Sequence, residues 1–149
     1  MPYSIMLDAG HGGRDPGAVY NGRQEKDDTL RLALAVGEIL QNRGIDVEYT
    51  RTTDVYETPY EKAMEANQAG VDLFISIHRN SFPRDNEVSG VESLVYDLSG
   101  LKYQIAEAIN EELATIGVCG SWRQGKTESS RAEEDKNAGC SCGGRIYQF

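Results

Sequence analysis

Histidine and cysteine are scarce in this chain: two and three residues respectively among 149. The cysteines, Cys119, Cys140 and Cys142, all lie near the C-terminus. An odd number with a tight Cys-Ser-Cys pair gives no disulfide framework, and the CxxC spacing of a thiolate metal site is absent. They read as incidental thiols. No apolar stretch is long enough to span a bilayer. The opening MPYSIMLDAGHGG lacks a basic region leading into a long apolar run, so no signal peptide is expected. Basic residues are outnumbered, 15 against 24 acidic, for a net charge of −9. That excludes the cationic face that nucleic-acid phosphates require. The excess is all upstream, since 118–149 carry five basic and four acidic residues. A chain of this length fits one domain with one sizeable core, and a monomer is expected.

What is present alternates between strand and helix patterns. Ser4–Leu7 is an apolar run halting at Asp8-Ala-Gly, a buried strand opening into a loop. The loop to about Lys26 is rich in glycine, which lets backbone turn sharply and approach a bound group. Asp27 or Asp28 is placed to cap a helix whose buried positions are Leu30, Ala33, Leu34, Gly37 and Leu40, with Leu32, Val36 and Ile39 widening that face. Gly44 ends it. Ile45–Thr50 reads as a strand, and Glu57–Ala69 as a helix closed by Gly70. Leu73–His78 reads as a central strand covered on both faces. Val91–Tyr96 is another strand, and Leu101 to Ile116 an amphipathic helix. The pattern predicts an α/β fold, a mostly parallel twisted sheet flanked by helices. After Gly117 the chain turns polar, Gly/Ser-rich and aperiodic, so 118–149 is expected to be an irregular, disordered tail.

Three side chains combine into a candidate site. His11 follows the first strand, Glu25 closes the Gly-rich loop, and His78 ends the third strand. Carboxyl ends of parallel strands share one edge, where ligands bind. Each residue alone has an ordinary explanation: a loop hydrogen bond, a charge near a helix N-terminus, a satisfied strand-end histidine. Together, two imidazoles and a carboxylate suffice for a catalytic zinc with one position left open. Asp8 and Asn80 flank the histidines and are candidates to orient them.

The blocks LDAGHGGRDPGA (Leu7–Ala18), GRQEKD (Gly22–Asp27), YTR (Tyr49–Arg51), EAN (Glu65–Asn67), DLFISIHRNS (Asp72–Ser81) and GVES (Gly90–Ser93) resemble, in order, those of the zinc-dependent N-acetylmuramoyl-L-alanine amidases of amidase type 3. The resemblance covers residues 4–117. It implies that His11, Glu25 and His78 bind Zn2+, and that the reaction is metal-assisted hydrolysis of the amide between N-acetylmuramic acid and L-alanine in peptidoglycan. The setting it implies is the bacterial cell wall, with phage, sporulation and division roles all open. On this reading 1–117 is an incomplete amidase-like catalytic domain and 118–149 a tail. Two other readings stand beside it: a zinc-containing muropeptide-binding module without catalysis, and a phosphate- or nucleotide-binding domain using the glycine loop. The last is weak, because the loop matches neither GxGxxG nor GxxxxGK[ST].

The family also uses a glutamate, general base and acid, on a late strand within a motif like MPAVLVEVGF. No such motif is in frame, so no catalytic residue is assigned and the family's last strand is missing. Reading the codons of Arg131–Gln148 one nucleotide later, however, permits VLRRTKMPAVLVEVGFIS, and Trp122-Arg123-Gln124 permits GVK. The first base of each codon is constrained by the observed residues, and the whole run is compatible. The expectation is a one-nucleotide frame slip between about Gly117 and Trp122, with impaired activity.

Overall fold

The computed structural model describes residues 3–79, 90–95, 98–118, 120–124 and 146–148. The chain divides into two compact units, Met1–Arg79 and Asn80–Phe149. Among the described residues, no helix is long and apolar enough to cross a membrane.

In the first unit, β1 (Ser4–Ala9) runs parallel to β4 (Asp46–Tyr49) on one side and β5 (Leu73–Arg79) on the other. Side chains alternate across a strand. Ile5, Leu7 and Val47 therefore share one face, where Val36 and Leu40 of α1 (Glu25–Asn42) pack on them. Met6 and Asp8 occupy the other face, where Lys62 of α2 (Pro59–Ala69) reaches Asp8. Parallel strands between helices are the layer the pattern predicts.

In the first unit the most completely covered strand is β1, buried from Ile5 to Ala9. The expectation that Leu73–His78 is covered on both faces is corrected, since Phe74 is 43% exposed. An apolar run reports that a strand is buried somewhere; it does not report which side its neighbours leave open.

Four local readings shift in informative ways. The loop before α1 contains a hairpin, β2 (Val19–Tyr20) against β3 (Arg23–Gln24). Its turn is Asn21-Gly22 with φ of 49° and 77°, the left-handed pair that a two-residue hairpin turn demands. Helix α1 starts at Glu25 with Gln24 as N-cap, so Asp27 and Asp28 sit in the first turn instead of capping it; there their charge favours the helix dipole. Its buried stripe is Thr29, Ala33 and Gly37, whereas Leu34 and Ile39 are exposed. Gly37 is glycine because a methyl group there would collide with the Tyr49 phenol. Helix α2 begins later than expected, at Pro59, because Thr58 and Glu61 form a reciprocal capping box; Gly70 closes it in the left-handed conformation, φ 67°.

In the second unit, β6 (Gly90–Val95) pairs in parallel with both β7 (Gly120–Gln124) and β8 (Ile146–Gln148). Helix α3 (Gly100–Thr115) buries Ala106 and Asn110, and Ser93 Oγ donates to Asn110 Oδ1 at 2.8 Å. Two pieces of the segment read as irregular are thus strands. Backbone pairing with β6 needs no hydrophobic period, which is why periodicity missed them.

Candidate metal centre

His11 lies just beyond β1 with φ 63°, a left-handed conformation uncommon for a residue with a side chain. The surrounding contacts hold it there. Gly12 and Asp15 exchange backbone hydrogen bonds of 3.0 Å each way. Beneath the loop, the buried Arg51 guanidinium donates to the carbonyls of Ala9 (3.0 Å), Gly10 (3.1 Å) and Lys26 (2.8 Å). Thr29 Oγ1 adds a bond to Gly10 O at 2.8 Å. A chain that turns this sharply leaves carbonyls without ladder partners, and Arg51 supplies them.

Asp15 is the carboxylate that hydrogen-bonds His11, while Asp8, expected to orient it, is engaged by other partners. Asp15 Oδ2 accepts from His11 Nδ1 at 2.8 Å, and its Oδ1 from the Gly17 N–H at 3.0 Å. The bond from His11, then that from Gly17, holds the Asp15 carboxyl below its ordinary pKa. With Nδ1 turned to Asp15, Nε2 is the ring nitrogen that faces Glu25 and His78. Asp8 is a strand residue on the α2 face, and its carboxylate accepts from Lys62 Nζ (2.7 Å), Thr50 Oγ1 (2.8 Å) and Ser76 Oγ (2.5 Å). Asn80 lies outside the described residues.

Glu25 is buried, 3% exposed, and both of its oxygens are engaged. Oε2 accepts from the Ala18 N–H at 2.8 Å and Oε1 from the Arg79 N–H at 2.7 Å. Burial pushes its carboxyl up, but His78, these two N–H groups and the charge on His11 outweigh it, and the pKa falls below the ordinary value.

These three side chains converge. His78 Nδ1 stands 3.2 Å from His11 Nε2 and 3.1 Å from Glu25 Oε1, and His11 Nε2 is 3.2 Å from Glu25 Oε1. Ligands about 2.0–2.1 Å from a tetrahedral zinc stand roughly 3.3–3.4 Å apart. The triangle, with sides of 3.1–3.2 Å, is close to that size, and two imidazoles with one carboxylate are a donor set that a catalytic zinc can take. Among the described residues, this is the group of histidine, cysteine and acidic side chains that could hold a metal ion. Glycine makes the closeness feasible. A Cβ on Gly10 would fall 2.5 Å from the His78 ring, and one on Gly17 would fall 2.5 Å from the His11 ring and 2.6 Å from Glu25 Oε2.

A cleft of about 470 Å³ leads from His11 and His78 along α2, past Lys62, Ala63 and Ala66, to Phe74. Phe74 is exposed because it lines this cleft. Sequence reasoning missed Asp15 and Arg51. For Asp15 a signal existed, an aspartate four residues after the histidine in a glycine turn; Arg51 ends the YTR block, but its role could not be read from spacing, since most of its partners are backbone carbonyls.

Fold and site together define an α/β domain with a candidate mononuclear metal centre at the carboxyl ends of parallel strands. A family model described as N-acetylmuramoyl-L-alanine amidase matches residues 5–131, and the chain belongs to that family. It is 45% identical over 94 residues to the sporulation-specific N-acetylmuramoyl-L-alanine amidase of Bacillus subtilis, covering 62% of this chain and 35% of that protein. Over 108 residues it is 39% identical to N-acetylmuramoyl-L-alanine amidase AmiA of Salmonella typhimurium, covering 72% and 37%. The chain thus spans little more than a third of these curated relatives. Among solved structures it is similar to N-acetylmuramoyl-L-alanine amidase AmiC2 of Nostoc punctiforme, at 27% identity and TM-score 0.75, covering 97% of this chain and 77% of that one.

Proposed function

We propose that this chain is the zinc-binding domain of a peptidoglycan hydrolase that cleaves the amide between N-acetylmuramic acid and L-alanine, and that it turns over slowly for want of a general base. The observation that carries the reading is the triangle of His11 Nε2, Glu25 Oε1 and His78 Nδ1, with sides of 3.1–3.2 Å. Membership of the amidase family supports the substrate. Zinc held by these residues would polarise the amide carbonyl and lower the pKa of the attacking water. His11 is aimed by Asp15, and Glu25 is kept ionised by the N–H groups of Ala18 and Arg79. The domain acts at the bacterial cell wall, as a monomer.

Proton transfer is the weak point. Among the described residues lining the cleft, the carboxylates are Asp8 and Asp15, and both are already engaged. The glutamate of the family motif has no counterpart in frame, and the codons of Gly143 and Gly144 permit it in the shifted frame. The same observation favours a second reading, a module that binds muropeptide without cutting it.

Zinc titration of the metal-free protein is the test. The expected result is one ion per chain, lost in His11→Ala and His78→Ala. A wild-type chain that binds no zinc overturns the metal reading. New L-alanine amino termini released from muropeptides separate hydrolase from binding module.

A further inference from the structure

We propose that the buried ion pair of Arg79 and Asp28 is a positioning device for the metal centre, holding the Val19–Gln24 hairpin so that Glu25 presents Oε1 to the histidines. The proposal rests on the zinc reading above.

The Asp28 carboxylate gathers three guanidinium groups. Arg23 Nε lies 2.7 Å from Oδ2, Arg31 2.7 Å from Oδ1, and Arg79 2.7 Å from Oδ2. The first two arginines are solvent-facing, with side chains 41% and 72% exposed. Arg79 is different: its side chain is 5% exposed against 4% for Asp28. Its guanidinium continues past Asp28 to donate to Ala18 O at 2.6 Å and Arg23 O at 3.3 Å. Those carbonyls belong to the residue before the hairpin and to its returning strand.

The backbone of the same residues grips Glu25. The N–H of Arg79 donates to Glu25 Oε1, and that of Ala18 to Oε2; the Glu25 N–H donates to Ala18 O at 2.9 Å. One arginine therefore ties the end of β5, both sides of the hairpin and the first turn of α1 around a single ligand. A buried ion pair is weak evidence for stability, because desolvation offsets its attraction. What the planar fork supplies here is geometry: separate nitrogens meet the carboxylate and the two carbonyls in a fixed plane, a spread that the single nitrogen of an ammonium does not have.

The test uses the full chain in two variants, with zinc affinity and amide hydrogen exchange as readouts. Arg79→Lys keeps the buried charge but loses the fork. The double variant Asp28→Leu with Arg79→Met removes both charges, an exchange that often preserves or raises stability. Groups that hold metal ligands typically change affinity by about 10–100-fold when lost. The expected result is zinc binding weakened by that factor in both variants, with native circular dichroism and faster exchange at the N–H groups of Ala18 and Arg79. A pair with a merely structural role would shift the melting temperature and leave zinc affinity and those two amides as in the wild type; that result in either folded variant overturns the proposal. If the wild type binds no zinc, the functional reading falls, and exchange at Ala18 and Arg79 still decides the role of the pair.

Discussion

At the scale of the residue, Asp8 and Lys62 form an ion pair with side chains 6% and 7% exposed. Burial pushes the Asp8 carboxyl up, but hydrogen bonds from Lys62, Ser76 and Thr50 and the charge on Lys62 outweigh it, so its folded pKa lies below its ordinary value. A depressed carboxylate pKa contributes stability that is present above the unfolded pKa, about 3.9, and is lost as pH falls through the folded value. Asp8→Asn would leave the Lys62 ammonium buried without its counter-charge, which destabilises by about 3–5 kcal/mol. Urea denaturation should show that deficit in full at pH 7, and it should begin to shrink only as pH falls below about 4 toward the folded pKa. A deficit that does not change as pH is lowered from about 4 until the protein unfolds would mean that the pair is not what Asp8 contributes.

At the scale of the element, α2 shows local chemistry prevailing over pattern. Its hydrophobic periodicity is weak, yet Thr58 Oγ1 accepts from the Glu61 N–H at 3.2 Å while Glu61 Oε2 accepts from the Thr58 N–H at 2.7 Å. Thr58→Ala should lower stability by about 1 kcal/mol, read as a shift in the urea midpoint. Zinc affinity should not change, because α2 carries none of the three ligands. The Val19–Gln24 hairpin makes the same point: Asn21-Gly22 was a readable turn signal, but its flanking strands have two residues each, too few for an alternating pattern to register.

At the scale of the molecule, the proposed function makes the glutamate of the shifted frame the group that limits turnover. A positioned general base contributes about 10²–10⁴-fold to rate. Deleting or inserting one nucleotide in the gene to restore the MPAVLVEVGF frame should raise muropeptide hydrolysis by that factor, measured as released L-alanine termini. An unchanged rate would show that the base is supplied elsewhere or that catalysis is not this domain's role. A gene sequence with no amidase motif in the neighbouring frame would remove the frame slip altogether.

By itself the amino-acid sequence determined the chemistry available. Two histidines and a glutamate of ligand type stood at loop and strand ends, glycines ringed them, and alternating apolar periods required an α/β layer. These are local properties, written in side-chain identity and spacing. Tertiary structure alone decided that His11 and His78, 67 positions apart, meet at 3.2 Å, that Asp15 hydrogen-bonds the first of them, and that Arg51 and Arg79 bond the backbone around them. Such contacts depend on strand register and on carbonyls left unpaired by a turn, quantities that exist only once distant segments are packed.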